Sequence, residues 1–474
     1  MKIDGIDIPE TVASLRAQIE SDTTITPALK VTIELLLLIV TLLCNRLGLN
    51  SKNSSKPPSS DPNRDKDKAS ANNKKPGGQK GRKGVTLTQF DNPDNIEPLY
   101  LDRASLPEGQ YTDAGFEKRQ VVDIEFKTVI TEYQAQVLKN ENGKKFVASF
   151  PQGITRPIQY GASVKAHAVY LSQYQLLPYE RICEYFADQL SLPLSSGSLY
   201  NFINEGFELT KSTGALAHIK QQLKQVPVLH VDETGINVNG SKYWLHTASS
   251  VNWTYFYSHK KRGIDAMDEA GILPEYSGIL CHDHWKPYFR YCCEHILCNA
   301  HHLRELTRAH EQDEQQWAEE MRLFLIDTNQ AVDKAGGKLN YSQVKSSLKQ
   351  YRKILGQADK ECPEPVRKPG QKGRIKKGKS RNLLERLRDY EKEVLRFIVN
   401  PDVPFTNNQG ENDIRMTKVH QKISGCFRSE TGGKMFCAIR SYISSCRKQN
   451  ISVSTALNLL FSGHLPDIFV TGAE

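Results

Sequence analysis

The spacing of apolar residues changes period several times along the chain, and each change marks an element. Leu29, Ile33, Leu36, Leu37, Val40 and Leu43 recur at helical spacing, so residues 10–48 read as helical. Thr24, or Thr26 before Pro27, is the candidate cap, and Gly48 and Asn50 end the stretch. The pattern suits a packing helix or a coiled-coil dimerisation helix equally well. Its most apolar run, 31–43, carries Glu34 and is too short to span a bilayer, so no membrane partner is expected. Strand-like alternation appears at 120–126, 128–133 and 145–150, with a turn at 140–143. Helical spacing returns at 178–189 and 195–203, separated by a break at 190–194; two helices so joined resemble a helix-turn-helix or simply two packed helices.

The most informative stretch is 226–285. Residues 226–232 form a short β-branched run, followed by strand-like segments at 242–249 and 252–257 and a hairpin signal at Asn239-Gly240. A helical segment at 263–271 leads to a fourth strand at 278–283, and 294–299 reads as a fifth. Two of these strands end on a carboxylate, Asp232 and Asp283. The order β-β-β-α-β, with acids on the first and fourth strands, is that of a ribonuclease-H-like α/β core. Glu233 follows Asp232, but successive strand side chains face opposite ways, so only one of the pair is expected in the site.

Composition narrows the partners. The chain has 474 residues and a net charge of +9. Residues 51–84 hold ten Lys/Arg against three Asp, or +7 of that total, in a Ser-, Asn-, Pro- and Gly-rich linker with almost no apolar residue. Such a tether can also contact DNA phosphates, with Lys74, Lys75, Lys80, Arg82 and Lys83 as its densest cluster. A second basic, Gly-rich run at 367–381 is a solvated loop or a phosphate-contacting arm. The ten cysteines form no Cys-x-x-Cys pair, which suits a reduced cytoplasmic protein. The knot of Cys and His at 281–302 raises zinc, but residues alternating along a strand point apart, so zinc is disfavoured.

A metal-dependent phosphodiester enzyme of this fold needs a third acid. Residues 404–418 supply Glu411 in the first turn of a helix capped by Thr406, Asn407 or Asn408, with Gly410 beside it. At 100° per residue Glu411, Arg415, Lys418 and Lys422 share one face. Asp413 falls on the opposite face, where a change is expected to be nearly silent.

These residues resemble the bacterial insertion-sequence-66 family of DDE transposases. The resemblance rests on 53–61, 77–81 and His230-Val-Asp-Glu-Thr234, then on 298–306, 407–411 and 422–429, in that order along one chain. It implies a catalytic and metal-binding triad of Asp232, Asp283 and Glu411. It further implies two Mg²⁺ ions, with Mn²⁺ able to substitute, and double-stranded DNA, both element ends and target, as partner. Arg415, Lys418, Lys422 and Arg428 then become DNA contacts. A homodimer or higher assembly in the DNA complex, accessory transposition proteins and a cytoplasmic, nucleoid location are also implied. Two other functions share these features: a ribonuclease-H-like nuclease or junction resolvase, and an inactive DNA-binding regulator. Many relatives place a Cys-x-x-Cys zinc pair after the linker, whereas residues 85–157 contain no cysteine.

The expected organisation is a helical region at 1–50, the linker at 51–84, a β-rich module at 85–157 and a DNA-binding helical region at 158–225. A catalytic core at 226–302 and 401–450 comes next, interrupted by a helical insertion at 303–400 and ended by a tail at 451–474.

Overall fold

The computed structural model describes residues 2–3, 6–50, 52–54, 87–102, 105–367, 373 and 375–470. The chain divides into two compact units, Asp65–Ser149 and the remainder, Met1–Arg64 with Phe150–Glu474. The larger unit begins with a two-strand ladder, β1 (Lys2–Ile3) and β2 (Ile6–Asp7), and the helices α1 (Ile8–Ser21) and α2 (Pro27–Leu47). Thr26 caps α2 by accepting from the Leu29 N–H, and Pro27 takes the first-turn position where its missing donor costs nothing. Val12, Ile19 and Leu37 bury one another, while Leu35, Leu36, Ile39 and Leu43 remain exposed. With 21 residues, α2 extends beyond the apolar run at both ends. Among the described residues it is the one helix long and apolar enough to cross a membrane by length and composition alone, so the helix is longer than the run 31–43 suggested.

The smaller unit is less regular than its alternation suggested. Among its described residues only β3 (Val137–Lys139) and β4 (Lys145–Val147) pair, around the turn at 140–143. Residues 120–126 and 128–133 form no strand, and Val121, Ile124, Val129 and Ile130 are exposed. An alternating pattern stabilises a strand only where its apolar face meets another, and among the described residues of this unit these side chains stay exposed. The β-rich module is thus reduced to one short hairpin.

The larger unit resumes at Phe150, and its next helices are α3 (Ala162–Val169), α4 (Tyr179–Leu190), α5 (Ser196–Ser212) and α6 (Ala215–Gln225). The sheet comes next: β5 (Val228–Val238), β6 (Ser241–Ser249), β7 (Thr254–His259), helix α7 (Ile264–Ala270), β8 (Ile279–His282) and β9 (Glu294–Leu297). Strand order is β7-β6-β5-β8-β9. β5, β6 and β7 pair antiparallel, and β5, β8 and β9 run parallel. Asn239 and Gly240 adopt φ of 46° and 80°, the left-handed pair that a tight hairpin needs.

Helices cover both faces of this mixed α/β sheet. The helices α8 (Asn299–Asp313), α9 (Gln316–Lys334), α10 (Tyr341–Glu361), α11 (Lys379–Asp389) and α12 (Glu391–Leu395) close one face. Trp317, Met321, Tyr351 and Leu384 bury there with Val228, Cys281 and Ile296 of the sheet. The chain then forms α13 (Asn408–Ser424), α14 (Glu430–Lys448) and α15 (Val453–Phe461). On the second face Leu229, Val231 and Leu280 join α3–α6, α14 and α15 in one core. Residues 451–470 are therefore no tail, since Ala456, Leu457 and Leu460 are fully buried.

The helix-turn-helix-like pair is part of that core: Ile182 and Phe186 of α4 and Leu199, Phe202 and Ile203 of α5 are buried. The outward side of α5 bears Glu205 and Glu208 with Lys211 as its lone cation, a poor match to DNA phosphate. These buried side chains serve packing, which a helix-turn-helix and a plain helix pair both require. In the basic run 367–381, Arg381 is buried against Asp359 and Glu385, and Lys377 pairs with Glu364 and Glu385. Those two cations brace α10 and α11 and do not form part of a free arm.

Candidate active site

Sheet register places the first two acids. His230 of β5 lies opposite Cys281 of β8 in the parallel ladder, so Asp232 and Asp283, each two residues farther on, occupy matching positions one strand apart. β5 continues to Val238 and does not end at Asp232, as the sequence suggested. What ends there is its parallel neighbour, because β8 stops at His282. The chain then turns sharply: His284 has φ of 73°, and the Trp285 N–H donates to Asp283 Oδ1 at 3.0 Å. Alternation assigns Asp232 and Asp283 to the face shared by Val228 and Cys281.

Glu233 points the other way, as expected. It is almost wholly buried, receives the Tyr288 hydroxyl at 2.5 Å and the Arg262 Nε–H at 2.9 Å, and forms an ion pair with the same guanidinium. Arg262 in turn stacks over Trp285, 4.2 Å from the ring centroid. This carboxylate is satisfied by its own network. Asp232 is not, since it accepts only from the adjacent Glu233 N–H, at 2.9 Å, among the described residues. Burial, then the charges of Glu233, Asp283 and Glu411, push its carboxyl up to about 8. A buried acid crowded by other acids lacks a compensating cation.

Glu411 arrives on α13, and one asparagine sets where that helix starts. Asn407, 2% exposed, faces the His230 ring (Oδ1 to Nδ1, 2.8 Å) and donates through Nδ2 to the Val231 carbonyl at 2.8 Å. Its backbone N–H reaches Cys298 Sγ at 3.1 Å, and its carbonyl accepts from the Glu411 N–H at 3.2 Å. Farther along, Lys418 and Gln421 both donate to the Gly235 carbonyl, and Phe427 pairs with Asn237 and Asn239. Helix and strand therefore run side by side. Eleven helical residues and five strand residues each span roughly 16 Å, so the two stay in step.

The partners of Glu411 differ from those expected. It lies 3.8 Å from both His301 Nδ1 and Arg304 Nη2 of α8, and 4.0 Å from Cys298 Sγ. Arg415 is exposed on α13 and makes no ion pair with it among the described residues. Lys418, expected on the phosphate side, is committed to Gly235, and burial lowers the pKa of its ammonium. Lys422 and Arg428 are exposed. Lys74, Lys75, Lys80, Arg82 and Lys83 lie outside the described residues.

Asp413 is not a silent position. It accepts from Lys448 Nζ at 2.7 Å and from Gln409 Nε2 at 2.9 Å, with both members of the ion pair largely buried. Two residues on a helix turn about 200°, which moves Asp413 to the other flank of the buried stripe Gly410–Ile414–Thr417 and not out to solvent. Within the Cys/His knot, His282 and His295 face each other at 3.1 Å and His302 bonds Asn299 at 3.1 Å. All three are buried, so they do not face DNA. Burial holds His282 and His302 well below the usual imidazole range.

Asn407, Arg304, Cys298 and His301 were not singled out as site residues by sequence reasoning. The signal was present, because they lie within the two short motifs at 298–306 and 407–411. Residues 157–435 match the family described as Transposase IS66 family, whose model name carries the DDE designation, over more than half of the chain. Residues 7–88 match a family of unknown function. No curated protein matches the chain.

Proposed function

Because the chain belongs to the IS66 transposase family, we propose that Asp232, Asp283 and Glu411 are the catalytic carboxylates of a ribonuclease-H-like core that cleaves the ends of its element and joins the 3′-OH to target DNA. The observation that carries this reading is the matched register of Asp232 and Asp283, with Glu411 in the first turn of the helix clamped to the same strand. The donor chemistry suits a hard divalent cation, three carboxylates with one driven up to about 8 by burial and like charge, although the three do not all lie within 4.8 Å of one another among the described residues. These residues would hold Mg²⁺, or Mn²⁺ in its place, which would activate a water for cleavage and neutralise charge on the leaving oxygen.

The chain's own groups do the rest. Asp232 must release its proton for the three acids to act as ligands, so cation affinity rises with pH toward 8. Asn407 fixes the origin of α13, and thereby the height of Glu411 against β5. Arg415, Lys422 and Arg428 are exposed on and just after α13, where they can take DNA phosphates. Lys418 leaves that set because it is bound to Gly235.

The test is incubation of the protein with labelled element ends and Mg²⁺, mapping products on each strand. Asp232→Asn, Asp283→Asn and Glu411→Gln each keep shape and remove an ionised ligand. Each should lose on the order of 10³-fold in cleavage, the several kcal/mol a metal supplies, while retaining DNA binding. Robust Mg²⁺-dependent cleavage by any of them removes that residue from the site. Pre-cleaved ends that fail to join target DNA would identify a nuclease on the same core instead.

A further inference from the structure

Glu411 faces two different sets of donors. On one side stands Asp232, which feels its charge. On the other stand a thiol and an imidazole: Cys298 Sγ, His301 Nδ1 and a Glu411 carboxylate oxygen all lie within 4.8 Å of one another. We propose that Cys298, His301 and Glu411 form a binding site for a single thiophilic divalent cation, of which Zn²⁺ is the natural example.

The geometry is close to what such an ion requires. Zinc bonds of about 2.0–2.3 Å in a tetrahedron put neighbouring donors roughly 3.3–3.8 Å apart. Here His301 Nδ1 is 3.8 Å and Cys298 Sγ 4.0 Å from the same Glu411 oxygen, Oε1. The other oxygen, Oε2, faces Arg304, so the guanidinium does not occupy the vertex between the three donors. His301 Nδ1 is buried and makes no hydrogen bond, and its separation from Glu411 is too long for one. A buried imidazole nitrogen without a partner, beside a carboxylate and a thiol, is a donor left open.

Support and chemistry agree with this assignment. Cys298 precedes α8, His301 lies in its first turn, and Glu411 lies in the first turn of α13, so all three sit at ordered helix starts. The Asn407 N–H points at the Cys298 sulfur, and a bound cation turns such a thiol into a ligand. Sulfur and imidazole select zinc over magnesium, whereas the aspartate pair offers only hard oxygens. The strand argument against zinc does not reach Cys298: β9 ends at Leu297, so alternation no longer separates Cys298 from the first turn of α8. A sequence also gives no sign that Glu411, more than a hundred residues away, completes the set.

One consequence rests on the transposase reading: an ion held here draws Glu411 away from the aspartates, so Zn²⁺ opposes Mg²⁺-dependent cleavage. The site itself is tested without DNA. The full chain, stripped of metal, is titrated with Co²⁺ and followed for the near-ultraviolet absorption of a cobalt thiolate. One equivalent should saturate the band, and Zn²⁺ but not excess Mg²⁺ should abolish it. Cys298→Ser, whose hydroxyl can still accept from Asn407, should remove the band. His301→Ala and Glu411→Gln should each weaken Co²⁺ binding by about 10-fold or more. Cys292→Ser alters an exposed thiol outside the cluster and should change nothing. If Cys298→Ser fails to fold, as judged by near-ultraviolet circular dichroism, the other two variants decide. Absence of a stoichiometric band, a band that survives Cys298→Ser, or full affinity in both other variants overturns the site. None of these results touches the cleavage test of the triad, so the two readings fail separately.

Discussion

Strands carry two acids of the proposed site and a helix carries the third, and the two kinds of support fail differently. Asp232 and Asp283 are fixed by a parallel ladder whose backbone bonds lie beneath them, between His230 and Cys281 and the residues before. No side chain is needed to hold them in register. Glu411 depends on side chains throughout: Asn407 at the start of α13, Lys418 and Gln421 at Gly235, and Asp413 with Lys448 on the far flank. A sheet-borne acid is thus hard to move but easily over-buried. A helix-borne acid keeps solvent but can be shifted by one substitution some distance away.

The largest expected effect tests the cost of over-burial. A carboxyl raised to about 8 binds its proton more tightly in the folded chain than in the unfolded one, where its ordinary value is 3.8. That favours folding at low pH, and the advantage is lost as pH rises through 8. Without metal, the protein should therefore lose up to about 4 kcal/mol between pH 5 and pH 8 from this one group. Asp232→Asn cannot ionise and should escape that part of the loss, melting above the parent at pH 8 and close to it at pH 5. Thermal melts in a chelator at both values check this. Parallel pH slopes for the two proteins would mean that Asp232 is already ionised.

The helical side should break in the opposite sense. Asp413→Ala leaves the Lys448 ammonium largely buried without its carboxylate, at a cost of about 2–4 kcal/mol in stability. Denaturant unfolding measures it, and Lys448→Met in the same background should recover most of the loss by removing the stranded charge. Asn407→Ala should be milder in stability and more specific in effect. It removes the contacts to His230 and Val231 while leaving all three acids in place. Cleavage should fall about 10- to 100-fold, as with other partners that orient metal ligands, and the Mg²⁺ concentration needed for half-maximal rate should rise. A fall in rate at an unchanged Mg²⁺ requirement would reduce Asn407 to a folding residue.

The same division decides what could be read from the sequence. The five strands, the hairpin at Asn239-Gly240 and both aspartates were legible because period, turn chemistry and strand order are local properties. Glu411 was legible only as a residue type in a helix start. Its neighbours Cys298, His301 and Arg304 come from the start of α8, and no spacing links two helices separated by about a hundred residues. Helical-wheel reasoning failed at Asp413 and Lys418 for one reason. It orders residues around an axis without knowing that the buried stripe has two flanks, each with its own partner. In the smaller unit alternation misled outright, because 120–133 has the pattern of a strand while its apolar side chains stay exposed among the described residues.

The smallest expected effect concerns Arg415, which separates the two flanks of α13 most finely. It lies about 40° outward of Glu411 on the helix and is exposed, whereas Lys418, about 20° to the other side, has turned back to the strand. Of the basic residues near Glu411, Arg304 is engaged with the carboxylate itself, leaving Arg415 to meet a phosphate. A guanidinium presents two parallel donors to phosphate oxygens and an ammonium presents a point charge. Arg415→Lys should therefore lower the single-turnover cleavage rate a few-fold, an effect of roughly 1 kcal/mol, with DNA affinity nearly unchanged. Arg415→Ala should lower both, and should flatten the dependence of log affinity on log salt by about one phosphate contact. If Arg415→Ala cleaves at the parental rate, Arg415 faces solvent in the DNA complex as well. Lys422 and Arg428 would then carry the phosphate contacts, leaving the guanidinium of Arg304 as the planar donor nearest Glu411.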